Sequence, residues 1–355
     1  MRALVALAVL AACTRPSAER ALGDLEIGSA VLGGANVSVA DGMAAIRRLV
    51  DHRVELWASA PAIEVTVFAD ATMTGEWTIV VNNTPVDAVL MIEGRTIARE
   101  TGTRPTVATF RVPLLAGANR MVIAPFDYAI PGAFRIAAMA DIQTALPEVD
   151  DVFDAISRVP DLRFVIAMGD ITERAELAEY ELFEEKLLAL DIPFYSTIGN
   201  HELWADSDRW FTRYGRMNFQ FTFKGAVFTF VDSGDGGLDP VVEDWLDGWI
   251  ANAGTRPHVF LTHMPPIDPV AHRYGGFRSM RDGHRLLARL VEGGVDLTLY
   301  GHIHTYVEFE NAGIPAYISG GGGADPMLLD GIDRHFLVLD VDDRAINSVS
   351  VQRVD

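Results

Sequence analysis

At Ile130-Pro131-Gly132 the texture of the chain changes, and this break limits the possible folds more than any other feature. Before it, from residue 25 to 130, short runs of Val, Ile, Thr and aromatics are cut by turn residues. Val54–Ala58, Ile63–Ala69, Trp77–Val81, Ala88–Ile92, Thr106–Val112 and Arg120–Ala124 read as strands. Asn82-Asn83, Glu93-Gly94 and Ala116-Gly117-Ala118-Asn119 separate several of them. Short strands at this spacing predict a β-sandwich of immunoglobulin or fibronectin type with an accessory role. Met43–Val50 reads equally as a short helix or a strand. After the break, residues 131–355 alternate apolar strands with amphipathic helices, as in an α/β layered domain. Its expected helices include Asp150–Arg158 and Ala175–Leu190. Its expected strands are Arg135–Ala140, Arg163–Met168, Pro193–Ile198, Val227–Val231, His258–Thr262, Leu297–Tyr300 and Phe336–Leu339.

Charge and cysteine usage exclude several classes of function. The 355 residues carry 29 Lys and Arg against 49 Asp and Glu, a formal net charge of −20. A chain this acidic has no global field to draw in polymeric nucleic acid, and none is expected as a partner. Lys186 and Lys224 are its only lysines. A single thiol, Cys13, rules out an intramolecular disulfide framework and any cysteine-rich zinc or iron–sulfur site. Met1-Arg2, the apolar run Ala3 to Leu10 and Ala11-Ala12-Cys13 follow the pattern of an export signal, and the run is too short to span a bilayer. Leu10-Ala11-Ala12-Cys13 resembles a bacterial lipobox. The expectation is a signal peptide over residues 1–12, acylation of Cys13 and a polar tether over residues 13–24. The body is then exported and lipid-anchored to the cell envelope. Thr14 rather than Asp follows the cysteine, so the outer membrane is expected in a diderm cell.

The chemistry concentrates at strand ends. Asp141, Asp170, Asn200, His263 and His302 each follow a buried-looking strand, and in α/β sheets ligands collect in the crevice outside the carboxyl ends of strands. Burying carboxylates and imidazoles together is costly unless a cation compensates them. A divalent metal does so. Imidazole and carboxylate suit zinc, iron or manganese, and the lack of thiolate fits a hydrolytic centre.

Asp141-x-Gln143, Gly169-Asp170, Gly199-Asn200-His201-Glu202, His263 and Gly301-His302-x-His304 resemble the calcineurin-like metallophosphoesterase superfamily. The resemblance runs from Phe134 to the C-terminus and implies a four-layer α/β/β/α domain with two divalent ions bridged by Asp170. One ion would take Asp141, Asp170 and His304; the other would take Asp170, Asn200, His263 and His302. Two departures stand out. The family usually has His two residues after its first Asp, where this chain has Gln143. An amide oxygen is a weaker ligand, so the first metal is expected to be labile or a harder ion such as manganese. A sandwich ahead of such a domain is also similar to purple acid phosphatases, which place a tyrosine ligand three residues after the bridging Asp. Here Glu173 stands there, either as a ligand or as an acid in the first turn of a helix. His201 is the candidate general acid, with phosphate orientation as its alternative role. Asp268, His272, Arg273, Tyr274, Arg278 and Arg281 form a candidate substrate loop, while His52, His258, His284 and His335 receive no role.

The resemblance thus implies a hydrolase of phosphoric esters, with monoesters preferred and a phosphate ester as the partner. A phosphodiesterase of the same fold and a catalytically decayed scaffold lipoprotein are the alternatives. Oligomeric state is not readable. Changing Cys13→Ser should abolish acylation and release the body from the membrane fraction, because one short apolar run is all that precedes it. A variant of unchanged mass that stays in the membrane fraction would refute the anchor.

Overall fold

A computed structural model describes residues 16–102, 104–271, 275–327 and 329–354. Cys13 and the signal segment lie outside the described residues. Among those described, no helix is long and apolar enough to cross a membrane.

The residues ahead of the break pair into two sheets. One orders its strands Ser29–Leu32, Ala35–Val39, Ile63–Ala69, Gly117–Pro125, Ala88–Ile92 and Arg95–Ile97. The other runs Ala44–Val50, Arg53–Ala58, Gly75–Asn82 and Val107–Leu114. Period-two patterning drives the packing: Ile63, Val65, Val67 and Ala69 turn inward while Glu64 and Phe68 are exposed. The Met43–Val50 ambiguity is settled as strand, since Ala44–Val50 pairs antiparallel with Arg53–Ala58. The edge strands Ser29–Leu32 and Arg95–Ile97 have little buried surface, so they carry no apolar signal in the sequence.

Beyond the break, two more sheets lie face to face. The first orders Phe194–Ser196, Leu162–Ala167, Phe134–Met139, His335–Val341 and Ile346–Arg353. The second orders Phe219–Phe223, Ala226–Val231, His258–Thr262, Leu297–Tyr300, Ile314–Ser319 and Tyr306–Asn311. Strands buried on both faces explain the near-continuous apolar runs. Ile136, Phe164, Ile166, Leu337 and Leu339 point into the core shared by the two sheets, together with Phe221, Phe223, Phe228 and Phe230. The alternate residues Ala137, Met139, Val165, Ala167 and Val338 face the helices Asp150–Ser157 and Leu177–Lys186. On the far side, Val231 and Phe260 meet the helices Pro240–Ala253 and Met280–Glu292. The order of layers is helix, sheet, sheet, helix. Phe164 packs edge-on against Phe221, Phe223 and Phe228, with centroids 5.3 to 5.8 Å apart.

The expected tether is a correction. Residues 17–24 form a helix docked on the α/β domain. Its polar side chains face inward: Arg20 is 1% exposed and ion-paired to Asp232 and Asp235. Asp24 is fully buried and accepts from the backbone N–H of Met217 and Asn218 and from the Asn218 side chain. A segment whose buried face is charged looks solvated in sequence, because pattern reading assigns polar residues to water.

The sandwich is joined to the α/β domain through polar contacts. Asn83 bonds both the N–H and the C=O of Phe194. Arg47 lies 4.0 Å from the Trp57 ring centroid and pairs with Glu184. Asp127, just after the last sandwich strand, accepts from Arg163 and Lys224. The Arg163 hydrogen bond leads in holding the Asp127 carboxyl down at about 2, with Lys224 assisting. Because the folded state lowers this group, its stabilisation is present above the unfolded carboxylate range and is lost as pH falls towards 2. Wild type should therefore melt above Asp127→Asn at pH 6, with the difference closing between pH 4 and 2. A difference independent of pH in that window would show that the carboxylate charge is not what joins the units.

Candidate metal centre

Every expected site residue stands where a strand leaves its sheet. Asp141 follows Phe134–Met139, Asp170 follows Leu162–Ala167, and Asn200 follows Phe194–Ser196. His263 directly follows His258–Thr262, and His302 and His304 follow Leu297–Tyr300. Asp141, Gln143, Asp170 and His302 all have left-handed backbone, with φ of 64°, 45°, 53° and 68°. Such residues cost energy and persist where packing holds them. Two motif glycines have a steric reason. A Cβ at Gly199 would lie 2.1 Å from Asp170 Oδ1, and one at Gly301 would lie 2.7 Å from Asp141 Oδ2.

Asp170 is the meeting point. Its Oδ1 accepts from the His201 backbone N–H at 2.9 Å. Its Oδ2 accepts from Gln143 Nε2 at 2.7 Å and lies 3.1 Å from His263 Nε2. Ligand atoms of Asp170, His263 and His302 all lie within 4.8 Å of one another. Asn200 Oδ1 is 3.1 Å from His263 Nε2. On the other side, His304 Nε2 is 3.6 Å from Asp141 Oδ1 and 3.3 Å from Gln143 Nε2. Backbone carbonyls orient the rings: Met168 takes His263 Nδ1 and Asp325 takes His304 Nδ1. In each ring Nε2 is left to face the cluster, as metal-ligating imidazoles require. Gln143 shares the site but presents its amide nitrogen, a donor, to Asp170. Rotating the terminal amide brings Oε1 there instead.

The electrostatics fit a cation. Burial pushes the Asp141 carboxyl up to about 8. Burial opposes charge on Asp170 and His263 as well, yet each holds the other ionised, with Asp170 below its ordinary range and His263 raised to about 9. The protonated His263 donates Nδ1–H to a carbonyl, and its Nε2–H lies among oxygen acceptors. A proton there compensates buried negative charge, and hard or borderline divalent ions are compatible with these oxygen and imidazole donors.

His201 Nδ1 is 2.7 Å from the Glu173 carbonyl, so its Nδ1–H donates there and Nε2 faces Asp170 Oδ2 at 4.0 Å. Its ring stacks on Trp204, which is 59% exposed. Glu173 lies ahead of the helix Leu177–Lys186 and outside its first turn. Its Oε2 is 3.4 Å from His201 Nδ1. The candidate substrate loop divides. Asp268 closes a turn by accepting from the N–H groups of Val270, Ala271 and Gly275. His272, Arg273 and Tyr274 lie outside the described residues. Arg278 and Arg281 are exposed. His258, without an expected role, is buried at the start of its strand beside Thr229 Oγ1.

Glu202 is the functional residue that sequence reasoning left without a task. It is 1% exposed and accepts from the N–H groups of Gly199, Asp170 and Thr172 and from the Thr172 hydroxyl. One buried carboxylate thereby ties the Asp170 loop to the Asn200 loop. Its place in Gly199-Asn200-His201-Glu202 was the available signal.

Residues 134–306 match the profile of the calcineurin-like phosphoesterase family. With the strand-end site and the four layers, this half of the chain belongs to the calcineurin-like phosphoesterase superfamily. A probable glycerophosphodiester phosphodiesterase of Arcobacter nitrofigilis is 28% identical over 159 residues, 41% of this chain and 57% of that protein. A glycerophosphodiester phosphodiesterase of Enterobacter lignolyticus is 26% identical over 51% of this chain and 69% of its own length. A 3',5'-cyclic-nucleotide phosphodiesterase of Nostoc is 25% identical over 41% and 57%. The match therefore spans little more than half of two of these relatives. A purple acid phosphatase from yellow lupin seeds shares the fold with a TM-score of 0.56 at 12% identity, covering 83% of this chain and 70% of that one.

Glu202→Ala orphans three buried N–H groups at once. At about 1–3 kcal/mol per lost partner, the variant should be destabilised by several kcal/mol in urea denaturation. A loss below about 1 kcal/mol would show that the two loops hold their shape without it.

Proposed function

We propose that this protein is an exported, metal-dependent hydrolase of phosphoric diesters, anchored through Cys13. The observation that carries the reading is Asp170, whose two oxygens are shared among His201, Gln143 and His263, with Asn200, His302, Asp141 and His304 around them. Asp141, Gln143, Asp170 and His304 would hold one ion, and Asp170, Asn200, His263 and His302 the other. When bound, two such ions hold phosphate oxygens and supply an activated water as nucleophile. All three sequence relatives are named for diester substrates, which supports diesters over the monoesters that the motifs alone suggested.

The chain's own residues do the rest. The Met168 and Asp325 carbonyls keep His263 and His304 turned inward. The Glu173 carbonyl holds His201 Nδ1–H, so Nε2 is the ring atom left to carry a proton to a departing alkoxide. Trp204 stacks on that ring and limits its rotation.

With manganese or zinc restored, bis-p-nitrophenyl phosphate should be turned over faster than p-nitrophenyl phosphate. The reverse order would make the protein a monoesterase, and turnover of neither would make it a scaffold. His201→Ala should lose about 10²–10⁴ in rate on an alkyl diester and clearly less on the bis-nitrophenyl ester, whose leaving group needs little protonation. Equal losses would assign His201 to positioning the phosphate.

A further inference from the structure

Arg20 lies outside the family-matched residues, yet it is among the largest fully buried side chains of the described structure. Its Nε and Nη2 reach Asp232 Oδ2 at 2.9 and 2.8 Å, and Nη1 reaches Asp235 Oδ2 at 2.9 Å. Holding a guanidinium in the interior for packing alone is unfavourable, so the turn it grips is the place to look for a purpose.

That turn, residues 232–236, lies directly behind the metal centre. Ser233 Oγ accepts from the backbone N–H of Met264, the residue after His263, at 2.8 Å. Gly234 sits so close to the other loop that a Cβ there would lie 2.9 Å from the Gly199 carbonyl, the residue before Asn200. The Asp232 carboxylate closes the turn by accepting from Gly234 N–H, and the Asp232 N–H donates to Asn218, which in turn donates to Asp24. The N-terminal helix thus grips the turn at Arg20 and again through Asp24. The turn touches the backbone beside His263 and beside Asn200, two side chains placed on the same ion. It makes no such printed contact with Asp141 or His304.

We infer that Arg20 is a positioning residue for one half of the metal centre. Its ion pair with Asp232 and Asp235 fixes the 232–236 turn, and that turn fixes the spacing of Asn200 and His263. The inference rests on the two-ion reading above. Supporting partners of metal ligands typically change affinity by about 10–100-fold when removed.

The test titrates metal-stripped full-length protein with manganese and with zinc by calorimetry. It compares wild type, Arg20→Met, Arg20→Lys and Ser233→Ala, with the melting temperature of each stripped protein alongside. Ser233→Ala keeps the ion pair and cuts only the link to Met264, so it decides the matter if Arg20→Met fails to fold. The expected result is one of two binding steps weakened about tenfold or more, the other unchanged, with partial recovery in Arg20→Lys. On bis-p-nitrophenyl phosphate at limiting metal, kcat should fall while KM holds. Both steps unchanged, or both weakened alike with a lower melting temperature, would reduce Arg20 to a structural clamp and overturn the inference. A wild-type protein that binds no divalent ion would instead overturn the two-ion reading itself.

Discussion

Asp170 accepts from a backbone N–H through one oxygen and from an amide and an imidazole through the other. Those donors arrive on three separate loops, so a single buried carboxylate is the fixed point of the catalytic half. Its charge is tolerable only because His263 and the hydrogen bonds oppose the cost of burial. Behind it, Glu202 gathers the N–H groups of the same loops. The two carboxylates divide the work: one faces the centre and the other braces the backbone that presents it.

The layers serve this arrangement. Strands that bury both faces place successive side chains alternately between the sheets and under the helices. Their carboxyl ends then open on one crevice, where the chain switches from apolar to polar residues. Left-handed backbone at Asp141, Gln143, Asp170 and His302 turns each side chain inward within one or two residues of leaving its strand region. The rigidity of the two-sheet core supports that strain, and the aromatic packing around Phe164 stiffens the core.

Much of this was legible in the sequence, for a physical reason. Apolar runs ending at Asp141, Asp170, Asn200, His263 and His302 mark both the strand and its exit, and the six sandwich strands read from period-two patterning all appear. What was not legible follows the opposite rule. Ser29–Leu32 and Arg95–Ile97 are short edge strands with exposed side chains, so hydrophobic pattern cannot find them. The 17–24 helix was missed because its inward face carries Arg20 and Asp24, whose partners are remote in sequence. Glu202 stood in plain view within its motif, but a carboxylate bracing backbone N–H groups has no sequence signal separate from one holding a metal. Asp268 reads as a loop charge and proves to close a turn.

The docking of the 17–24 helix also dictates an order of assembly. Arg20 meets Asp232 across 212 residues of chain, and Asp24 meets Asn218 across 194. The strands around residues 134–167 close over much shorter loops, and contacts of low sequence separation form first. The helix therefore has nothing to bind until the turn at residue 232 exists. As the chain emerges, the segment made earliest must wait with its charged face in water, where Arg20 and Asp24 keep it soluble. It seats only when the α/β domain is nearly whole, so the first described stretch of the protein to be synthesised is among the last to be folded.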